Sequence, residues 1–152
     1  MKFKHSLVLI MLIFLALISV SSVVADGFFG FGEEDTNIAT ICGVEYNIPE
    51  KFHENANASI NNESLNDAGF AYYLTSKSYG DGKDMFTVSV SHYTLEVTNK
   101  TLEKSGGEPK NIDDHDGYFK SLRDGYEFNY IVNGDLVSVS ATSEDLLTKV
   151  IV

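Results

Sequence analysis

The sequence predicts an α+β domain: an antiparallel meander sheet of five or six strands, covered by a C-terminal helix and joined by one short internal helix. Three observations predict it. Apolar and polar residues alternate over strand-length runs at 44–48, 70–74, 86–92, 126–132 and 137–141. Turn-forming sequences, Gly80-Asp81-Gly82-Lys83-Asp84 and Asn133-Gly134, join these runs in pairs. Helical spacing is clear only near the end, where Leu146, Leu147, Val150 and Ile151 share one face. No βαβ alternation calls for a parallel sheet.

Taken along the chain, residues 1–25 read as a signal peptide. Lys2, Lys4 and His5 form a basic start, residues 7–18 are an apolar run, and Val23 and Ala25 place cleavage after Ala25. Residues 26–40 read as a flexible leader of Gly, Phe and acidic residues, with Phe28, Phe29 and Phe31 set among glycines. Residues 41–152 form the single domain. Val44, Tyr46 and Ile48 make the first strand, stopped by Pro49. The polar stretch 51–67 reads as a loop with at most one short helix. In the first long hairpin, a loop of three or five residues would put Phe70, Tyr72 and Leu74 on the same face as Phe86, Val88, Val90 and His92. Residues 98–105 form the short helix, closed by Gly106 and Gly107. Residues 111–117 read as a turn and 118–122 as a further strand.

The second hairpin is the strongest local signal. A two-residue type I′ turn at Asn133-Gly134 places Val132 opposite Asp135, Tyr130 opposite Val137, Phe128 opposite Val139 and Tyr126 opposite Ala141. Turn chemistry and hydrophobic pattern therefore demand one register. Thr142 then opens the terminal helix, with Asp145 at capping-box spacing.

Composition narrows the classes of function. The 152 residues hold 11 Lys or Arg against 22 Asp or Glu, a net charge of −11. Without Lys2 and Lys4 the exported chain has 9 basic residues and a charge of −13. Nucleic-acid binding relies on clustered cations to neutralise phosphates, so nucleic acid is not an expected partner. A membrane is expected only through an uncleaved signal segment. A lone cysteine, Cys42, precludes an internal disulfide and a cysteine-based zinc site. Its apolar neighbours Ile41, Val44 and Tyr46 favour burial as a small apolar residue.

Candidate chemistry centres on Asp113, Asp114, His115 and Asp116, the densest polar cluster, with His92 as a more distant partner. Carboxylates and imidazole in such a group suit a metal ion. A calcium loop, however, would require a bidentate Glu where Arg123 stands, so a solvated turn is the favoured reading. Asp81 and Asp84 read as turn residues, and His92 as a buried or half-buried histidine at a strand end. No nucleophile elbow, phosphate loop, dinucleotide fingerprint or His-Glu-x-x-His helix is present, and no catalytic residue or cofactor is assigned. Asn57, Asn62 and Asn99 begin Asn-x-Ser/Thr sequons, which suits a glycosylated surface protein. Seven of the eight tyrosines lie in residues 72–130. Tyr73 and Tyr93 fall on faces opposite Tyr72 and His92, so aromatic rings reach both sides of the sheet.

The step Ile48-Pro49-Glu50-Lys51-Phe52 and the hairpin-plus-helix unit of residues 126–151 resemble small uncharacterised secreted proteins of methanogenic archaea. The unit also resembles the end of PsbP/Mog1-like α+β domains. The resemblance implies a fold and carries no site residues. The expected function is an exported, non-catalytic binding or cell-surface interaction module whose partner is an extracellular protein or carbohydrate. One rival is a small metal-binding protein using the 113–116 cluster. Another is a secreted inhibitor that inserts residues 51–67 into a partner's cleft.

Overall fold

A computed structural model describes residues 36–67 and 70–152. Short turns fold most of this chain into antiparallel hairpins. The elements are β1 (Thr36–Ile41), β2 (Val44–Pro49), β3 (His53–Glu54), a 3-10 turn (Ala56–Ala58), β4 (Ile60–Asp67), β5 (Phe70–Gly80) and β6 (Met85–Tyr93). They continue with α1 (Asn99–Glu103), β7 (Glu108–Ile112), β8 (His115–Leu122), β9 (Gly125–Val132), β10 (Asp135–Ala141) and α2 (Glu144–Val150). An eight-stranded sheet runs β3-β5-β6-β10-β9-β8-β7, with β4 sharing the β5 edge with β3; β1 and β2 form a separate hairpin.

The α+β class is as expected, but the sheet is larger than five or six strands. Strand β1 begins at Thr36, inside the stretch assigned to the leader; the signal segment and residues 26–35 lie outside the described residues. Of the inward positions in β1, Asn37 is exposed, Ala39 half-buried and Ile41 buried, so its alternation is faint. Residues 51–67 are not a loop either. They supply β3, the 3-10 turn and β4, which pairs along β5 with a bulge between Ile60 and Glu63. An edge strand with polar residues on both faces has no hydrophobic period to read. The expected turn at 111–117 shrinks to Asp113-Asp114, because β8 starts at His115.

The two long hairpins differ in how well they could be read. For β9–β10 all four expected pairs are present, and positive φ at Asn133 and Gly134 gives the I′ turn. For β5–β6 the loop has four residues, 81–84, between the paired Gly80 and Met85. That even length puts Tyr72 and Leu74 on the face opposite Phe86, Val88 and Val90, reversing the expected arrangement. The loop is organised by Asp81, whose carboxylate accepts from the Lys83 and Asp84 backbone N–H groups.

One face of the sheet carries the core. Phe86, Val88, Val90, Phe128, Tyr130, Val137 and Val139 are buried there beneath the β1–β2 hairpin and α2. Gly117 is required on this face: a Cβ would strike the Phe128 ring at 2.6 Å and also meet the Asn129 carbonyl. Helix α2 covers the core with Leu146, Leu147 and Val150, and an isolated bridge pairs Tyr46 with Ile151. Its cap is Ser143, whose side chain accepts from the Leu146 N–H, one residue later than expected. Thr142 instead donates to Asp84 at 2.9 Å and ties the helix start to the β5–β6 loop.

The opposite face is polar yet buried. One cross-strand row runs Ser76, Ser89, Ser138, Asn129, Tyr118; the next runs Ser78, Thr87, Ser140, Glu127, Lys120. Small hydroxyl side chains satisfy one another there, Ser89 with Ser76 and Ser78 with Thr87, each at 2.8 Å. The 94–107 crossover leads from β6 to the far edge strand β7 and brings α1 against β8 and β9. Val97 and Leu102 are its buried anchors.

Candidate functional site

One hollow of the second face lies at the β7–β8 edge. Because Asp113-Asp114 is a two-residue turn, Asn111 falls opposite Asp116 and Pro109 opposite Tyr118. All four side chains point to the second face, and Asn99 and Leu102 of α1 line the same hollow of about 340 Å³. Such a volume is within the lower range of small-ligand clefts, about 300–1,000 Å³. Helix α1 spans 99–103 rather than the expected 98–105: Thr98 caps it, the Thr101 hydroxyl accepts from the Thr98 N–H, and Gly106 and Gly107 take positive φ beyond it.

The chemistry of the hollow is mixed. Leu102 and Pro109 supply an apolar floor and Tyr118 a half-buried ring with a polar tip. Asn111 donates from its amide to the Asp116 carboxylate at 2.8 Å, which orients both groups and leaves each with further hydrogen-bonding capacity. Tyr118 stands opposite Asn129, whose amide donates to Glu127 at 2.7 Å. Glu127 in turn meets the Lys120 ammonium at 2.7 Å, with side chains only 5% and 12% exposed. This buried ion pair fixes the sheet surface behind the ring. Neither residue is singled out by sequence pattern.

The 113–116 cluster does not converge. Asp113 and Asp114 occupy the turn with positive φ and point into solvent. Asp116 faces the hollow. His115 lies on the opposite face, its ring tilted against Tyr130 at 4.6 Å, and its Nε2–H donates to the Val152 carbonyl at 3.2 Å. Among the described residues no three His, Cys, Asp or Glu side chains are grouped to hold a metal ion.

His92 is on the same face as His115, but β10 and β9 intervene, a separation of three strand spacings or about 14 Å. Nor is it buried: the side chain is 67% exposed. Its Nδ1–H donates to Asp135 at 2.6 Å, leaving Nε2 open to water, with exposed Tyr73 as its cross-strand neighbour. Tyr93 and Tyr72 stack on the other side at 4.9 Å, so aromatic rings do reach both faces.

Cys42 also departs from expectation. It is exposed, at φ 51 in the two-residue turn joining β1 to β2. The alternation that buries Ile41 and Val44 places the two residues between them in the turn. Asn57, Asn62 and Asn99 are all exposed. In the core, Tyr46 and Tyr130 bury hydroxyls that find no well-formed hydrogen bond among the described residues. Burial pushes both phenols upward, Tyr130 to about 12 and Tyr46 further, with Tyr130 adding to the rise at Tyr46. On the exposed β3–β5 edge, a 2.8 Å bond from Lys77 holds the Glu54 carboxyl below the ordinary glutamate range.

Compared with known protein families, curated proteins and solved structures, the chain matches none. No described helix is long and apolar enough to cross a membrane.

Proposed function

We propose that the chain is an exported, non-catalytic binding module that recognises carbohydrate through the hollow beneath α1. The observation that carries this reading is the grouping of Asn99, Asn111 and Asp116 around Tyr118, Pro109 and Leu102. Amide and carboxylate groups match the dense hydroxyls of a sugar. A tyrosine ring offers its face to the apolar C–H surface of the pyranose. The ion pair behind Tyr118 supports the wall at no cost in mobility on binding. Export, cleavage after Ala25 and the likeness to PsbP/Mog1-like domains belong to the same proposal.

The test is titration of the purified chain with glycans and cell-envelope polysaccharide fragments. Binding that falls at least tenfold in Tyr118→Ala and in Asp116→Ala, with unchanged melting, supports the reading. Equal binding by wild type and both variants contradicts it.

A further inference from the structure

Among the outer edges of the described sheets, those of β4, β7 and β1 are not built alike. The outer edge of β4 is broken by the bulge before Glu63, has Asn62 at φ 46, and carries the charged Glu63. The outer edge of β7 is five residues long, with Pro109 unable to donate and Glu108 and Lys110 beside it. Bulges, prolines, charges and shortness are the devices that stop strand edges from pairing with other chains. Strand β1 has no bulge, proline or charge. Its sequence, Thr-Asn-Ile-Ala-Thr-Ile, is uncharged and free of proline and glycine, and it pairs with β2 in unbroken register over all six residues. Its Ile38 is 58% exposed, the most exposed large apolar side chain among the described residues.

The hairpin geometry fixes which backbone groups face outward. The type I′ turn makes Ile41 and Val44 a hydrogen-bonded pair. Alternation then turns the N–H and C=O groups of Asn37 and Ala39 toward β2, and those of Thr36, Ile38 and Thr40 toward the outer edge, where no other described strand pairs. These three residues are spaced to match an inverted copy of themselves. With Ile38 at the centre, Ile38 meets Ile38 of a second copy, and Thr36 meets Thr40 on each side. Each of these backbone pairs is then hydrogen-bonded, and the exposed isoleucines cover each other.

We propose that β1 is a self-association edge, pairing antiparallel with β1 of a second copy about a two-fold axis through Ile38. The proposal is independent of the hollow under α1. A six-residue edge covers less than the roughly 1,000 Å² of a stable specific interface, so the dimer is weak and forms with concentration. Net charge of −11 on each copy opposes it, while the edge itself carries no charge, so added salt strengthens the pairing. A cationic strand from another protein would show the opposite salt dependence.

Sedimentation and amide hydrogen exchange on the full chain test this across concentration and salt. The expected result is a mass that rises with both, with slowed exchange at Thr36, Ile38 and Thr40 only in the dimer. The Ile38→Cys, Cys42→Ser variant should close a disulfide-linked dimer on oxidation, since hydrogen-bonded partners sit about 5.5 Å apart at Cα. Thr40→Cys in the same background should not, because it faces position 36. Ile38→Lys should abolish association while melting as wild type. A monomer at every concentration, a dimer that salt weakens, or a dimer undiminished by Ile38→Lys overturns the proposal.

Discussion

The two faces of the main sheet are made by the same strands and hold together by different physics. On the first, Phe86, Val88, Phe128 and Val139 are packed under α2 and the β1–β2 hairpin, and stability comes from apolar area removed from water. On the second, serines, a threonine, Asn129 and Glu127 are buried with Lys120 largely shielded beside them, and each polar group must be answered by another. The first face tolerates changes that keep volume. The second tolerates changes that keep pairing. That difference places the polar side chains of the hollow on a surface already committed to hydrogen bonding.

The largest expected effect is on the first face. Phe128→Ala removes a ring with no exposure from between Val139 and Phe119, and should cost about 3–5 kcal/mol in denaturant unfolding. A loss under about 1 kcal/mol would mean that the face is not a packed core. On the second face, Glu127→Ala strands Lys120 and should cost about 3 kcal/mol, whereas Lys120→Met with Glu127→Leu restores most of it. Failure of the double variant to recover would show that the pair contributes more than its own satisfaction.

A smaller effect separates the faces by pH. Tyr46 and Tyr130 stay protonated in the folded chain beyond the ordinary tyrosine pKa of about 10. Their contribution is complete below that value and is lost as pH rises through about 12. The unfolded chain releases protons over that range that the folded chain retains. Tyr130→Phe should be nearly neutral at pH 7, since its hydroxyl has no well-formed bond to lose, and should flatten the alkaline decline in unfolding midpoint. An unchanged alkaline profile would count against burial as the cause.

Legibility in the sequence followed the strength of local geometry. Asn133-Gly134 permits one turn type, and that turn fixed every pair of β9–β10. The five-residue run 80–84 permitted several loops, and a single residue of loop length exchanged the faces of β5. Strand β4 was hidden because an edge strand need not alternate. The serines at 76, 78, 89, 138 and 140 are alternating residues in plain view. Their role required knowing that the second face is covered. Asp116 reads in the sequence as one acid of a cluster, while the pairing that gives it a partner follows from the two-residue turn Asp113-Asp114, which sets Asn111 across from it. Leu102 and Asn99 reach the hollow only through the crossover, a long-range placement with no local signature.

Mapping amide chemical shifts while cell-envelope glycan fragments are titrated into the chain tests the central claim most directly. The account predicts saturable shifts confined to residues 98–102, 109–111 and 116–118, the walls of the hollow. Saturable shifts centred on Tyr73, His92 and Asp135 instead, or none at any glycan concentration, would contradict it.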